Sequence, residues 1–124
     1  METYVIAVMK NDYCKKEFIN IGGYYSPSKY SDMWNLSTLE GAEVFEDLDS
    51  AVQMAERLTK RFKYNFQVFN HKECLINDCN DEFNKLENVV MPLVNNYDEQ
   101  HSNYVHNILQ RLKRILLKEL EKNE

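Results

Sequence analysis

Three side chains of the types that bind zinc lie close together in the sequence, at His71, Cys74 and Cys79. A closed tetrahedral zinc site needs four ligands; the gap from His71 to Cys74 fits a ligand pair, whereas the gap from Cys74 to Cys79 is loose. A fourth ligand would have to come from elsewhere in the chain: Cys14, His101 or His106. The alternative is a loop histidine beside two small, partly buried thiols. The sequence favours this alternative and predicts no metal and no other cofactor.

Other reactive groups lack the neighbours that catalysis needs. Cys14 stands beside Lys15 and Lys16, whose positive charge could lower the pKa of the thiol. No glycine-framed nucleophile turn surrounds it, and no histidine is placed by a sequence signal to act as its base. Gly22-Gly23 is the only glycine pair, and no phosphate-binding loop follows it. The sequence therefore predicts a protein that is not an enzyme.

Charge is distributed unevenly along the 124 residues, whose net charge is −5. Residues 40–56 carry six acids and no lysine, and residues 73–99 carry seven acids and one lysine. Residues 111–122 carry five bases and two acids. This pattern disfavours direct binding of nucleic acid along the whole surface. Carboxylates at the starts of helices also have a structural explanation, because the positive end of the helix dipole attracts them.

Composition and the chain start predict a cytoplasmic protein. Three cysteines are too few, and of the wrong parity, for a disulfide framework. The first residues lack the basic and apolar stretches of a signal peptide. No apolar run approaches the ~20 residues needed to cross a bilayer. The expectation is a protein with reduced thiols and no membrane association.

Two groups of residues are predicted to contact a protein partner. Tyrosine and tryptophan dominate interface hot spots, and an aromatic-rich stretch follows Gly22-Gly23. The alternative for these aromatic side chains is that they hold their own loop against the sheet. The first acidic block supplies the charged part of the predicted surface. The predicted partner-binding residues are Tyr24, Tyr25, Tyr30, Trp34, Glu40, Glu43, Glu46, Asp47 and Asp49.

The elements that position these residues follow from hydrophobic periodicity. Residues 3–9 read as a buried strand, residues 17–21 as a second strand that the glycine pair ends, and residues 24–37 as a loop with a short strand near Trp34. Residues 42–45 read as another strand. Asp47 is predicted to cap a helix with an apolar stripe, and residues 64–70 alternate like a half-buried strand. The predicted stripe of this helix is Leu48, Ala51, Val52, Ala55, Leu58 and Phe62.

Residues 80–122 are predicted to form C-terminal helices. The first carries the apolar positions Phe83 to Tyr97 and should kink or split at Pro92. Asp98 or Ser102 can cap the last helix. This helix carries an a/d seam that predicts a homodimer. The seam is Val105, Ile108, Leu112 and Ile115.

Together these elements predict one α+β domain over residues 1–124. Residues 1–70 form a strand-rich unit, in which one helix packs across a small antiparallel or mixed sheet. Residues 80–122 form a C-terminal helical hairpin.

Three features of the sequence resemble known proteins: the N-terminal strand, the Tyr/Trp stretch, and residues 42–51, which read Ala-Glu-Val-Phe-Glu-Asp-Leu-Asp-Ser-Ala. Over residues 1–70 the chain resembles small phage and prophage accessory proteins, including anti-CRISPR inhibitors of bacterial defence. The resemblance implies stoichiometric binding to a host protein, such as a nuclease or its nucleic-acid channel, without catalysis or cofactor. It transfers no binding residue, because the class shares no motif. Two alternatives stay open: a module that binds a small molecule or signalling nucleotide, and a small dimeric regulatory protein.

Overall fold

The structure is a computed structural model that describes residues 2–30, 33–94 and 99–122. Backbone contacts divide the chain into two compact units, residues 1–74 and residues 75–124. In the described residues, β-strands occur only in the first unit.

The first unit is built on an antiparallel sheet. Its strands are β1 (Tyr4–Met9), β2 (Ile21–Pro27), β3 (Trp34–Ser37) and β4 (Phe66–Asn70). Within the described residues the strand order is β3-β2-β1-β4, so β1 lies inside the sheet between β2 and β4. The β1 residues from Val5 to Met9 are all buried, which confirms the prediction of a buried strand.

Helix α1 (Leu48–Phe62) packs across one face of this sheet. Its start follows the predicted chemistry: the Asp47 carboxylate accepts a hydrogen bond from the Ser50 amide at 3.2 Å. Its end is a left-handed residue, Lys63, at φ 58°, whose amide donates to the Thr59 carbonyl. The core on this face consists of Ile6, Val8, Tyr25, Ala55, Leu58 and Phe66.

The opposite face of the sheet is also apolar. Side chains alternate between the faces of a strand, so Val5 and its β4 partner Phe69 share this second face, as do Ala7 and its β2 partner Tyr24. All four are buried. A short 3-10 helix before β2 contributes Phe18, whose ring centroid lies 5.4 Å from that of Phe69. Burial on both faces explains why β1 is apolar throughout and does not alternate.

The prediction for β2 is wrong in its position. Residues 18–20 form the 3-10 helix, and β2 begins at Ile21 and continues through Gly22-Gly23 to Pro27. The glycine pair therefore lies inside the strand and does not end it. Residues 24–37 are not one loop, because β2 covers the first part and β3 the last. The short strand predicted near Trp34 is confirmed.

Two further predictions differ from the structure. Residues 42–45 form no strand; Phe45 makes an isolated bridge to Tyr4, and a 3-10 helix (Leu39–Gly41) precedes it. The apolar stripe of α1 is narrower than predicted, because Leu48 is 46% exposed and Val52 is 38% exposed. Helix α1 itself and β4 are confirmed in place.

Two long helices follow the sheet. Helix α2 (His71–Val94) begins directly after β4, nine residues earlier than predicted, and runs without a break through Pro92. Helix α3 (Glu99–Lys122) already includes Ser102, so this residue is not its cap. The alternative cap Asp98 and the predicted apolar position Tyr97 lie outside the described residues.

The fold is α+β, as predicted: an antiparallel sheet with a helix across it, followed by a C-terminal helical hairpin. Only residues 95–98 separate the two hairpin helices in sequence. Glu87 of α2 accepts a hydrogen bond from the Gln110 side chain of α3 at 3.1 Å, and its other carboxylate oxygen lies 2.8 Å from Nδ1 of His106.

Candidate partner-binding surfaces

The predicted aromatic residues do not form one exposed cluster. Tyr24 and Tyr25 lie in β2 and are each 7% exposed, on opposite faces of the sheet. Burial raises the pKa of the Tyr25 hydroxyl, and the negative charge of Glu43 raises it further. Tyr30 is 61% exposed, with the Lys29 ammonium 5.4 Å from its ring centroid. Of the two tyrosines in β2 and Tyr30, only Tyr30 offers open surface to a partner.

Trp34 is half-buried against the core between α1 and the sheet. Its ring meets those of Phe62, Tyr64 and Phe66 edge-on, with centroid distances of 6.2, 6.0 and 5.3 Å. Edge-to-face aromatic pairs each contribute roughly 0.5–1.5 kcal/mol beyond the area they bury. The main contacts of Trp34 are therefore inside the fold, where it fixes β3 against the end of α1.

The acidic residues predicted as partner-binding are mostly on the surface. Glu40, Glu46, Asp47 and Asp49 are exposed, and Glu43 is half-buried. Asp47 has a structural role, because its carboxylate accepts hydrogen bonds from both the amide and the hydroxyl of Ser50.

Glu40, Glu46 and Asp49 form no ion pair with any residue that the structure describes. Their charge is therefore available to an outside partner.

The negative potential reaches the N-terminal end of β1. The Tyr4 hydroxyl donates to a Glu2 carboxylate oxygen at 3.0 Å. This hydrogen bond is the main cause of a raised pKa for Tyr4, to which burial and the charges of Glu2 and Asp47 add.

Apolar side chains stand among these carboxylates. Val44 is 44% exposed, and Leu48 and Val52 occupy successive turns at the start of α1. We call the exposed group, with its carboxylates, the acidic surface: Glu40, Glu43, Val44, Glu46, Asp47, Leu48, Asp49 and Val52. Protein interfaces combine such apolar contacts with a polar rim, and this surface contains both components.

The hairpin presents apolar residues from both helices. On α2, Leu86 is 45% exposed, Val89 65% and Leu93 63%, whereas Phe83 and Val90 on the neighbouring side of the helix are half-buried. At about 100° per residue these three exposed side chains form one stripe along α2. The sequence analysis included these three residues among the apolar positions of the helix but did not predict that they form an exposed surface.

On α3, the residue that packs most closely is Leu109, which is 8% exposed. The predicted seam lies beside it: Val105 and Ile108 are half-buried, while Leu112 is 47% and Ile115 51% exposed. Two neighbours extend the exposed area: Tyr104 and Leu116.

The two stripes lie on the same face of the hairpin. On each helix, the stripe lies about a quarter turn round the helix axis from the side that faces the other helix. Viewed from the N-terminus of each helix, this rotation has the same sense for both stripes. Because the helices run in opposite directions, equal displacements in the same sense point to the same side. Glu87 and His106 are displaced in the other sense, toward the opposite side. We call the apolar side the hairpin face: Leu86, Val89, Leu93, Tyr104, Ile108, Leu112, Ile115 and Leu116.

The candidate zinc ligands are not brought together. Helix α2 contains His71, Cys74 and Cys79, and the five-residue step from Cys74 carries Cys79 about 140° round the helix. His71 Nδ1 lies 3.3 Å from the Thr3 hydroxyl, and Cys74 is fully buried. In residues 2–30, 33–94 and 99–122, no three His, Cys, Asp or Glu side chains are grouped as metal ligands.

The backbone of Cys14 makes two hydrogen bonds, and in the first its amide donates to the Asn11 carbonyl at 3.4 Å. Its carbonyl accepts a hydrogen bond from the Asn65 side chain at 3.3 Å, which ties the loop after β1 to the residue before β4. The thiol is half-buried. The contact gives this segment a structural function.

A groove beside the C-terminal half of α1 has the composition of a ligand site. Its volume is 480 Å³, within the usual range of about 300–1,000 Å³ for small-molecule sites. Its floor includes Tyr25, Met54 and Phe62, and basic side chains line its rim. The basic residues are Arg57, Lys60 and Arg61.

Comparisons with models of protein families, with curated proteins and with solved structures find no match to this chain. Among the described residues, no helix combines the length and apolar character required to cross a membrane.

Proposed function

We propose that this chain is a non-enzymatic binding protein that occupies a basic surface of a larger protein in the cytoplasm of a bacterial host. The observation that supports this most directly is the acidic surface, where Glu40, Glu46 and Asp49 form no ion pair within the described residues. Glu46 and Asp49 flank the exposed Leu48 in sequence. A partner with Lys and Arg around an apolar depression would complement both features.

Charge of this kind acts mainly on the rate of association. Opposite potentials steer two proteins together and raise the association rate by about 10–10³-fold at low ionic strength. A nucleic-acid channel is a concentrated basic surface, and carboxylates on a rigid helix start can occupy positions that phosphates otherwise hold. The narrower form of the proposal is therefore a phage-type inhibitor that blocks a nuclease of a bacterial defence system, such as a CRISPR nuclease.

The experiment measures association with a panel of purified nucleic-acid-binding proteins, including guide-loaded CRISPR nucleases, at low and high salt. In the variant Glu46→Lys/Asp49→Lys, we expect association at low salt to be at least about tenfold slower. Asp47 is left intact because it caps α1. The matched control, Asp12→Lys/Glu17→Lys, reverses two exposed carboxylates in the segment between β1 and β2.

Two results contradict the proposal. One is an unchanged association rate for the Glu46/Asp49 variant at low salt; the other is an equal loss in the control variant. For the narrower form, cleavage of target DNA is measured with increasing amounts of the protein. Inhibition that saturates at a fixed molar ratio supports it, and cleavage unaffected by excess protein overturns it.

A second candidate is a module that binds a signalling nucleotide in the groove beside α1. Arg57, Lys60 and Arg61 would pair with phosphates, and the apolar floor at Met54 would contact the base. Most of the predicted aromatic side chains are packed within the fold, so this candidate depends on the basic rim. A thermal-shift panel of nucleotides tests it: stabilisation that Arg57→Glu removes supports it, and no shift with any nucleotide rejects it.

A further inference from the structure

The two helices of the hairpin carry opposite charges along the outer edges of the hairpin face. Helix α2 has an acidic edge at Asp78, Asp81 and Glu82. Burial raises the pKa of Asp78, and the neighbouring charges of Asp81 and Glu82 raise it further, so these carboxylates repel one another. Lys85 offsets part of this charge through an exposed ion pair with Glu82 at 3.3 Å.

Helix α3 has a basic edge. Arg111, Arg114 and Lys118 follow one another at three- and four-residue steps, so they lie along one side of the helix, and all three are exposed. None of them forms an ion pair with a residue in the described part of the chain. Each edge borders its helix's stripe on the side away from the other helix.

The contact of Glu87 with His106 and Gln110 fixes which residues lie level with each other. Because the helices are antiparallel, a step back along α2 corresponds to a step forward along α3. Residues near Glu82 therefore lie level with Arg114, and residues near Asp78 lie level with Lys118. The acidic and basic edges occupy the same half of the hairpin, on opposite outer sides.

We propose that the hairpin face is the interface of a homodimer, a four-helix bundle in which α2 of each chain packs against α3 of its partner. The twofold axis runs along the helices, between the two apolar faces. This rotation places the acidic edge of α2 opposite the basic edge of the partner's α3, at the same level, and it does so twice. The apolar stripes then cover one another in the centre.

The alternative twofold arrangement is disfavoured by the same charges. If the axis crossed the helices, α2 would pack antiparallel on the partner's α2, and the acidic edge would no longer lie opposite a basic edge. The crossed arrangement therefore lacks the attraction between opposite charges that the arrangement with a parallel axis gains at both edges. Charge therefore distinguishes the two ways of covering the hairpin face.

The first experiment is the molar mass of the full chain in solution as a function of concentration. We expect the mass to rise from 14.8 kDa toward twice that value. The variant Leu93→Asp/Ile115→Asp is expected to stay at the monomer mass at every concentration, since it places charge within the apolar stripes. The matched control is Ile19→Asp, which alters a 75% exposed apolar residue of the first unit and should dimerise like the wild type.

The second experiment tests the arrangement by reversing charge. Asp78→Lys/Asp81→Lys/Glu82→Lys should raise the dimer dissociation constant at least about tenfold. Adding Arg111→Glu/Arg114→Glu/Lys118→Glu in the same chain restores opposite charges across the interface and should recover dimerisation. Circular dichroism of each variant at matched dilution confirms that the helices are intact.

A wild-type mass that stays at 14.8 kDa up to concentrations on the order of 0.5 mM overturns the proposal. It is also overturned if acidic-edge reversal leaves the dissociation constant unchanged, or if the full charge swap does not recover dimerisation. None of these outcomes depends on the acidic surface. The dimer and the proposed inhibitor function can therefore fail separately.

Discussion

The two units bury apolar residues to very different extents. In the first, β1 is covered on both faces of the sheet, and Val5, Ile6 and Ala7 have no exposed surface. In the described part of the second, Leu109 is the only buried residue, while Val89 and Leu93 are each more than half exposed. The first unit completes a core within its own sequence. The second has the apolar pattern of a bundle but only two helices with which to cover it.

The largest expected effect on stability comes from a substitution in the core between α1 and the sheet. Ile6→Ala removes buried methyl groups between β4 and α1, and it should lower the free energy of unfolding by about 2–5 kcal/mol. Leu93→Ala is the counterpart in the hairpin. In dilute protein it should change stability by no more than about 0.5 kcal/mol, because the side chain is mostly exposed.

Denaturant unfolding measured at two protein concentrations separates these cases. The Ile6→Ala loss should be the same at both concentrations. The Leu93→Ala loss should grow at the higher concentration, where the wild-type hairpin is covered by its partner. If Leu93→Ala is as damaging as Ile6→Ala in dilute protein, the contrast between the two units is wrong.

An intermediate effect is expected at the start of α1. Asp47→Ala removes the acceptor for the Ser50 amide and should cost about 1 kcal/mol. Trp34 is the sole tryptophan, and it contacts Phe62 of α1, so its fluorescence reports on the first unit alone. Glu46→Ala, one residue earlier, serves as the control. An Asp47→Ala transition that overlays the wild type would show that the cap contributes nothing.

The smallest effect concerns Asp78 in the hairpin. Its folded-state pKa is raised above the ordinary 3.8 by burial first and then by Asp81 and Glu82, although Lys85 lowers it. A carboxyl whose pKa is raised on folding adds stability when protonated, and this contribution is lost as pH rises through the folded pKa. The contribution of Asp78 to the stability of the wild-type hairpin should therefore grow as pH falls from neutral toward 3.8.

Asp78→Asn removes this dependence. At neutral pH it should stabilise the dilute, monomeric protein slightly, by less than about 0.5 kcal/mol, because solvent screens a mostly exposed carboxyl. The difference from wild type should shrink in acid. Thermal unfolding followed by circular dichroism measures it, with Asp12→Asn as control. A destabilised Asp78→Asn in dilute protein at neutral pH would contradict the assigned sign.

Local signals predicted the elements that local chemistry determines. Asp47, the acidic first turn and the basic last turn identified α1, and the apolar run at residues 4–9 identified β1. Gly23 shows what such signals omit. A Cβ there would come within 2.5 Å of Cδ1 of Leu36 in β3, so a larger residue at this position inside the strand would require the Leu36 side chain to move.

The candidate surfaces were predicted unevenly for the same reason. Carboxylates are almost never fully buried unless they are paired, so the acidic surface could be anticipated from charge alone. Whether Tyr24 and Tyr25 face solvent depends on the pairing of β2 with β1, which is a long-range contact. The stripe on α2 required knowing which side of the helix faces α3. Periodicity gives each helix a face, but only the contact between helices shows that the two faces are continuous.

The left-handed conformation of the residue that ends α1 restricts which amino acids can occupy that position. Lys63, at φ 58°, is the one described residue other than glycine with a positive φ. Only glycine, and to a lesser extent asparagine or aspartate, adopts this conformation readily. A neutral drift of the sequence should therefore admit Gly or Asn here and exclude Val, Ile and Thr, even though the side chain is exposed. A saturation library at this position would show backbone geometry acting as the constraint.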